Sequence, residues 1–385
     1  MRIAVIADSH FDQHSRFEEC VRVHDWIAQD IAERGVDLVL HSGDVYERKS
    51  TPLEREAVAR WGQAITLTAP LVVVRGNHDA LDDLPLLERL ETANPIRVVE
   101  SAEVVRVAGV QVACLAWPRK AAVLAASAAD GKELGEQVAA DALRNVLRGL
   151  GAQMDEADHE AGEFQPRLLL AHAMVRGSVT SVGQPLVGCD LELGLEDLSL
   201  VGADAYLLGH IHMPQAWDIS GAPVIYPGSP RRTAFGELES KGYVIVEFDG
   251  AGHYVDVQRI ETPCTPMKHF DCAWRDGLVL DLAYQDVAGA EVRLRYSVPT
   301  DQRESARSAA ESLRVALLSA GALSVKLEEQ VTTVGRARQP EIAAALTLDD
   351  KLSALWGAQK NAPAKDRWPR LLAKVHELEE ETHAA

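Results

Sequence analysis

The chain has 385 residues, of which 47% are hydrophobic and 25% are charged, a composition typical of globular proteins. This length predicts two or more domains, because single hydrophobic cores stop growing at about 250–300 residues. A formal net charge of −19 argues against a simple basic nucleic-acid-binding domain. The apolar run in MRIAVIADSH is too short for a signal peptide or a membrane span, which predicts a cytoplasmic protein with no membrane partner. Five scattered cysteines without a CxxC pair predict free thiols.

Five short apolar runs in the first 215 residues predict strands that are covered on both faces, because they are rich in Val, Ile, Leu and Ala and do not alternate cleanly. They are RIAVIAD, VDLVLHSGD, PLVVVRGNHD, PRLLLAHA and AYLLGHIH. Helical spacing lies between some of them, as in LEREAVARWGQAITL and in FEECVRVHDWIAQDIAERG, where Gly35 is the predicted stop. Strands that alternate with helices indicate a layered α/β domain.

The remaining segments predict a hairpin, a long helix and a separate β/α unit. Residues 102–117 read as a hairpin that turns near Gly109, and residues 120–162 are Ala-rich, charged and helical. Strands are predicted in APVIYPGS, GYVIVEFD and YVDVQRIE. Beyond Pro266, LVLDLAY, EVRLRYSVP and LSVKLEEQV predict strands and ESARSAAESLRVALLSAG a helix. The chain from Gln339 onward predicts helices with a break at 361–363.

Each of the five apolar runs ends in residues that can bind a metal ion. Side chains two residues apart in an extended chain point the same way, so DxH and HxH can each bind one site as a pair. The carboxyl ends of strands form the ligand-binding edge of an open α/β sheet, so five segments are expected to converge there. Imidazoles, carboxylates and an amide suit Mn, Fe or Zn better than Ca or Mg, and their number predicts two ions that share a bridging Asp. The candidates are Asp8, His10, Asp44, Asn77, His78, Asp79, His172, His210 and His212.

In the order DxH, GD, GNHD, H and GHxH, this set resembles the calcineurin-like metallophosphoesterase superfamily. The resemblance implies an α/β fold class, a four-layer β-sandwich flanked by helices with two metal ions at its edge. It also implies which residues bind each ion. One ion would be held by Asp8, His10, Asp44 and His212, and the other by Asp44, Asn77, His172 and His210.

The same resemblance implies that His78 is catalytic and is not a ligand. His78 would face the phosphate or the leaving oxygen, and Asp79 would orient it. Two ions can activate a water and stabilise both oxygens of an in-line displacement at phosphorus, and His is suited to donate a proton near neutral pH. A structural role beside the ligands is the alternative for His78.

The stretch PVIYPGSPRRTAFGELESKGYVIVEFD, residues 223–249, is similar to the segment that follows the last metal histidines in SbcD-type nucleases and their break-repair relatives. CLAWPRK belongs to the same resemblance. The resemblance to these nucleases implies a DNA exonuclease that is usually manganese-dependent and acts in DNA end processing, repair and recombination. Such an enzyme would also nick single strands or hairpins. Arg231 and Arg232 are the predicted phosphate contacts, with ordinary surface arginines as the alternative. The chain departs from the usual pattern at Tyr46 and Glu47, where an aromatic–Asp pair is common.

The resemblance implies three regions and two protein partners. A catalytic domain would span 1–265, a DNA-capping domain 266–335, and a helical partner-binding segment 336–385. The partner would be an SMC-like ATPase of the SbcC type, and LDDKLSALWGAQK and RWPRLLAKVHELEEE offer it apolar helical faces, which could equally pack on this protein's own core. A homodimer through LEREAVARWGQAITL and DDLPLLERLETA is also implied.

Two other functions stay open from the sequence. One is a metallophosphoesterase that acts on a small phosphodiester such as a cyclic nucleotide, and the YPGSP…FGE stretch and the cap region argue against it. The other is a non-catalytic scaffold of the same fold. All the expected metal and catalytic positions are filled, which argues against a scaffold.

Overall fold

The computed structural model describes residues 1–118, 132–161, 165–182, 184, 191–275, 277–278, 286–332, 342, 345–359 and 362–383. The chain divides into two compact units. The first comprises Met1–Phe270, Leu282–Arg293 and Ala316–Lys326, and the second comprises Asp271–Asp281, Leu294–Val315 and Leu327–Ala385. The predicted functional bounds at 265 and 335 stay a prediction.

Seventeen strands lie in the described residues. They are β1 (Arg2–Ile6), β2 (Leu38–His41), β3 (Leu71–Val74), β4 (Ile96–Val99), β5 (Ala102–Val107), β6 (Val110–Leu115), β7 (Arg167–His172), β8 (Met174–Val175), β9 (Glu192–Leu193), β10 (Ala205–Gly209), β11 (Gln215–Ile219), β12 (Ala222–Tyr226), β13 (Gly242–Phe248), β14 (Tyr254–Glu261), β15 (Met267–Ala273), β16 (Glu291–Pro299) and β17 (Ser324–Thr332).

The α-helices of the same residues are α1 (Phe17–Arg34), α2 (Pro52–Thr66), α3 (Lys132–Ala161), α4 (Leu195–Leu198), α5 (Arg303–Ser319), α6 (Leu348–Ala358) and α7 (Trp368–His383). Short 3-10 turns are Leu84–Arg89, Ser199–Val201, Thr300–Gln302 and Lys365–Arg367. None of the helices in this part of the chain has the length and apolar character needed to cross a membrane.

Two six-stranded sheets form the first unit, in the orders β14-β13-β1-β2-β3-β4 and β11-β12-β10-β7-β6-β5. The strands β1 to β4 run parallel, with Ile3 opposite Leu38, while β13 pairs antiparallel to β1. In the second sheet β6, β7, β10 and β12 are parallel, and β5 and β11 are antiparallel edge strands. Both sheets are therefore mixed, and the carboxyl ends of their central parallel strands are available for a site.

Side-chain alternation along the buried strands divides the first unit into four layers. Ile3 and Val5 belong to an apolar cluster that combines residues of both sheets, so the two sheets pack face to face. Ala4 and Ile6 point the other way, into a cluster with α1 and α2. The outer face of the second sheet is covered by α3 in a third cluster. This is the predicted four-layer sandwich, and each fully buried aliphatic side chain contributes about 1.5–3 kcal/mol to its stability.

Local sequence signals explain where the first two helices begin and end. Gly35 ends α1 with φ 61°, a left-handed conformation that glycine adopts without a side-chain clash. Thr51 begins α2 with a capping box, in which its hydroxyl accepts from the Glu54 N–H while the Glu54 carboxylate accepts from the Thr51 N–H. The predicted hairpin is confirmed as β5 and β6, with Ala108 and Gly109 at its turn.

The three strands β15, β16 and β17 form a separate sheet in that order. Within the second unit, Tyr296 and Val298 of β16 pack on Ala306 and Ala310 of α5, the predicted β/α pattern. The two C-terminal helices contact each other through Trp356 and Trp368, whose ring centroids lie 5.6 Å apart. The predicted strand LVLDLAY, most of the segment 333–347 and the start of the predicted helix at 120–131 lie outside the described residues.

Candidate metal centre

The predicted ligands lie together at the carboxyl ends of five strands from both sheets. The first sheet contributes β1, β2 and β3, and the second contributes β7 and β10. Six of the seven predicted ligands are buried, and the seventh, Asn77, is half-buried. The strand ends carry Asp8 and His10, Asp44, Asn77, His172, and His210 and His212. Convergence at one edge is therefore a property of the fold.

Asp8, His10 and His212 form one group of candidate ligands, and their ligand atoms lie within 4.8 Å of one another. The Nε2 atoms of the two histidines are 3.0 Å apart. Asp8 Oδ1 accepts from the backbone N–H of His210 at 2.9 Å, whereas its Oδ2 is buried without a hydrogen-bond partner among the described residues. An unpaired buried carboxylate oxygen beside two imidazole nitrogens fits a bound cation.

A second group forms around Asp44, Asn77, His172 and His210. Asn77 Oδ1 lies 2.8 Å from His172 Nε2 and 3.0 Å from His210 Nδ1, and Asp44 Oδ2 lies 3.4 Å from His172 Nε2. His172 Nδ1 donates to the carbonyl of Ser42 at 2.7 Å, so in the neutral ring Nε2 carries a lone pair. Lone pairs of an imidazole, an amide and a carboxylate then face one point, which is the donor set of a metal site.

Electrostatics also fit a cation at this edge. Burial raises the pKa of Asp8, and His172 only partly opposes this effect. Burial lowers the pKa of His172, but the Asp44 carboxylate outweighs it and raises this pKa to about 9. Burial likewise raises the pKa of Asp44, but the charge and hydrogen bond of His172 bring it well below its usual range. Without a metal ion the Asp44 carboxylate is compensated by a charged His172 imidazole, and a divalent cation would supply that positive charge directly.

Four of the ligand residues have a left-handed backbone, although none is glycine: φ is 54° at Asp8, 47° at His10, 54° at Asp44 and 105° at His210. Such conformations cost about 1–3 kcal/mol each and persist only where the surroundings hold them. Backbone hydrogen bonds join the first two loops, from Asp8 N to Gly43 O at 3.1 Å and from His10 N to Asp44 O at 3.0 Å.

The glycines before Asp44 and Asn77 allow close approach. A Cβ on Gly43 would lie 2.6 Å from His172 Nδ1, and a Cβ on Gly76 would overlap the Asp44 carboxylate. A side chain at either position would therefore clash with a ligand residue, which explains why glycine precedes Asp44 and Asn77 in the sequence.

His78 lies at the rim of the site with 35% of its side chain exposed. Its backbone N–H donates to Asp44 Oδ1 at 2.9 Å, and its Nδ1 lies 2.8 Å from the carbonyl oxygen of Glu47. This contact leaves Nε2 as the ring atom that can face a substrate.

The hydrogen bonds of the Asp79 carboxylate go to the backbone rather than to the His78 ring, and its predicted orienting role stays a prediction. The Asp79 carboxylate accepts from the backbone N–H groups of Val45, Tyr46 and Gly76 at 3.3, 2.9 and 2.8 Å. Burial and the neighbouring Asp44 raise its pKa to about 6. Asp79 therefore ties the β2 exit to the β3 exit, and the carbonyl of Glu47 orients His78.

Glu47 was not predicted as a site residue. Its Oε2 lies 2.8 Å from His10 Nδ1, so its carboxylate holds a ligand ring while its carbonyl holds His78. The sequence did mark this position, because Tyr46 and Glu47 depart from the aromatic–Asp pair that is common in the family, and Glu47 lies three residues after Asp44.

The two predicted phosphate-binding arginines are not exposed side chains. Arg231 is 2% exposed and donates from Nη2 to the carbonyl of His10 at 2.7 Å. Arg232 donates to the carbonyls of Glu237 and Glu239 and to Cys264 Sγ. Each of the three guanidinium nitrogens of Arg232 has a hydrogen-bond partner within the chain, and its role as a phosphate contact stays a prediction. Arg231 lines the pocket, so it is limited to contacts inside it.

The FGE…KG part of the signature forms a buried ion pair next to the ligands. Lys241 Nζ lies 2.8 Å from the Glu237 carboxylate in an ion pair and donates to Glu239 at 2.7 Å, and both Lys241 and Glu237 are about 1% exposed. Glu237 accepts from the Thr233 hydroxyl at 2.9 Å, and that oxygen lies 3.4 Å from His212 Nδ1. The motif is therefore linked to a metal ligand through Thr233.

A pocket of about 270 Å³ opens over the two ligand groups. Its lining includes His78, Glu47, Gln184, Arg231 and Thr233 beside the ligands. The pocket can admit one phosphate group with part of its substituents, while anything larger must extend outside it.

Residues 1–214 match the family described as calcineurin-like phosphoesterase. The chain belongs to this family. The match covers the five strand ends and every candidate ligand, so the convergence described above is that of a metallophosphoesterase, a family of hydrolases with a dinuclear metal site.

Three curated relatives carry the name DNA double-strand break repair protein Mre11. This chain is 28% identical to the Archaeoglobus fulgidus protein over 253 residues, covering 60% of this chain and 50% of that protein. It is 25% identical to the Halobacterium salinarum protein over 254 residues, covering 64% and 56%. It is 22% identical to the Methanosarcina mazei protein over 273 residues, covering 68% and 38%. The chain thus spans about half of the length of these relatives or less.

Among solved structures, a dimetal phosphatase from Danio rerio is 13% identical, with a TM-score of 0.41, covering 68% of this chain and 97% of that chain.

Proposed function

We propose that this metallophosphoesterase is a DNA nuclease that uses two divalent metal ions to hydrolyse phosphodiester bonds at DNA ends, with endonuclease activity on single strands or hairpins. The observation that carries the proposal is the pair of ligand groups at the strand ends, with His78 at the rim, in a chain related to Mre11 proteins. Its proposed role is end processing in repair and recombination.

The site residues suit this chemistry. Asp8, His10, Asp44 and His212 would hold one ion, and Asp44, Asn77, His172 and His210 the other. When bound, two such ions activate a water and stabilise the attacking and leaving oxygens at phosphorus. Manganese is the proposed metal, because mixed imidazole, carboxylate and amide donors suit it.

His78 is the proposed catalytic residue. Its Nδ1 is held by the Glu47 carbonyl at 2.8 Å, so a charged ring presents Nε2–H to the pocket. That proton can move to the leaving oxygen of the scissile phosphodiester, and the neutral ring then recovers a proton from solvent through its exposed edge. Arg231 is proposed to add positive charge beside a phosphate inside the pocket.

Binding of long DNA needs contacts beyond this pocket. The net charge of −19 disfavours strong phosphate binding by the chain alone. We therefore propose an SMC-like ATPase of the SbcC type as the partner, docked on the C-terminal helices α6 and α7, with a cap at 266–335 that steers the duplex. A homodimer through α2 and Leu84–Arg89 and a cytoplasmic location belong to the same proposal.

The test is manganese-dependent degradation of an end-labelled DNA duplex and hairpin, with a small chromogenic phosphodiester assayed in parallel. Wild type should degrade DNA, and His78→Ala should lose about 10²–10⁴-fold in rate while its bound manganese is unchanged. His159→Ala, at an exposed position on α3, is the matched control and should behave as wild type. Hydrolysis of the small diester alone, with DNA untouched even when the ATPase is added, would overturn the nuclease in favour of a small-substrate enzyme.

A further inference from the structure

Two buried histidines that are not among the predicted metal ligands lie next to the metal centre. His41 is the last residue of β2, and His24 lies on α1. Both are fully buried, as is Ser9, which lies between the ligands Asp8 and His10. The Trp61 indole packs in a T-shaped arrangement with both rings, and its ring centroid lies 5.5 Å from that of His24 and 5.9 Å from that of His41. Such a polar group in an apolar layer is stable only if its hydrogen bonds are satisfied.

The hydrogen bonds of this group have one consistent direction. The Gly43 N–H donates to His41 Nδ1 at 3.2 Å, so His41 carries its proton on Nε2, which donates to Ser9 Oγ at 2.8 Å. At the other end the carbonyl of Cys20 can only accept, so His24 Nδ1–H donates to it at 2.7 Å. His24 Nε2 then accepts from the Ser9 hydroxyl at 2.7 Å. The two ends therefore determine both imidazole tautomers and the hydroxyl direction.

We propose that Ser9, His24 and His41 are positioning residues of the metal centre. Their hydrogen bonds tie the loop of Asp8 and His10 and the loop of Asp44 to each other and to α1. The left-handed backbone of these ligand residues needs such support, because the strain would otherwise be released by moving the ligands. The inference rests on the metal centre of the proposed function but not on its substrate.

Neutral rings agree with this arrangement. Burial lowers the pKa of His24 to about 3, and burial together with the neighbouring His24 lowers the pKa of His41 to about 3. A neutral imidazole donates with one nitrogen and accepts with the other, as the directed hydrogen bonds require.

The first test needs no variant at the serine. Long-range ¹H–¹⁵N NMR of metal-free protein with labelled histidine, assigned with His24→Gln and His41→Gln, reports each tautomer. We expect Nδ1–H at His24 and Nε2–H at His41. The opposite tautomer at either ring, or a charged ring at pH 7, would overturn the proposal.

The second test is the manganese dissociation constant of Ser9→Ala, measured by calorimetry. Outer-shell partners of metal ligands typically change affinity by about 10–100-fold, so we expect a rise of at least about 10-fold, with both ring signals shifting together. Ser42→Ala is the matched control, because Ser42 Oγ is buried beside the ligands without a hydrogen-bond partner in the described chain. It should leave both ring signals unchanged. Affinity of Ser9→Ala within about twofold of wild type would refute the positioning role, whatever the DNA assays show. If Ser9→Ala does not fold, the wild-type tautomers decide.

Discussion

Replacing Lys241 by Met should be among the most destabilising single substitutions in the first unit. Lys241 and Glu237 have side-chain exposures of 0%, so removal of the ammonium leaves a buried carboxylate without its ion-pair partner. Breaking one side of a buried pair costs about 3–5 kcal/mol, whereas replacing both charges with neutral groups of similar volume is often neutral. Glu237 keeps its Thr233 contacts, which cannot compensate its charge.

Urea unfolding of Lys241→Met, followed by tryptophan fluorescence, should therefore show a loss of about 3–5 kcal/mol in the free energy of unfolding. The double variant Glu237→Gln/Lys241→Met should regain much of it, because Glu239, the other ion-pair partner of Lys241, is 11% exposed and keeps its hydrogen bond from the Ser181 hydroxyl. Lys49→Met, at an exposed position, is the control and should change stability by less than about 0.5 kcal/mol. A Lys241→Met protein within about 1 kcal/mol of wild type, or a double variant less stable than the single one, would refute this reasoning.

Three further predictions concern pH, close packing and metal. The pKa of His24 and of His41 is about 3 in the folded chain and about 6.5 in the unfolded chain. Burial of the two neutral rings therefore costs no stability through proton binding above pH 6.5, and it lowers the free energy of unfolding progressively as pH falls from 6.5 toward 3. These two rings should together cost the metal-free protein about 2.5 kcal/mol between pH 7 and 5.5, and His24→Gln should remove about half of that cost in urea titrations; a pH dependence equal to that of wild type would contradict it. Gly76→Ala should abolish tight manganese binding in calorimetry, since the new Cβ overlaps Asp44, whereas Gly149→Ala, with open space around it on α3, should bind as wild type; normal affinity in Gly76→Ala would disprove the steric argument. Manganese at about 100 times its dissociation constant should stabilise the chain by about 2.7 kcal/mol for each ion bound, and a chelator should remove this; the same gain in Asp44→Asn would place the ions elsewhere.

The strand ends could be predicted from the sequence because apolar runs and polar exits are both local features. Asp8, His10 and Asp44 follow their strands directly, and parallel strands bring their ends to one edge. Sheet membership is not local: β3 and β7 are both short, largely apolar strands that end at or shortly before candidate ligands, but they lie in different sheets. Only the family resemblance predicted a sandwich.

Side-chain partners were the least predictable part of the site. Asp79 follows His78 in sequence, yet its carboxylate turns inward to three backbone N–H groups because these buried donors need an acceptor. Arg231 and Arg232 look like a basic surface pair, but the neighbouring carbonyls bind Arg232 and burial restricts Arg231. Such choices depend on segments that are distant in the chain.

The most direct test of the dinuclear centre is the number of manganese ions bound per chain, measured by calorimetry and by elemental analysis after dialysis. We predict two ions for wild type and loss of both in Asp44→Ala, because Asp44 reaches ligands of both groups. A single ion in wild type, or two ions retained in Asp44→Ala, would contradict the shared site on which the proposed nuclease depends.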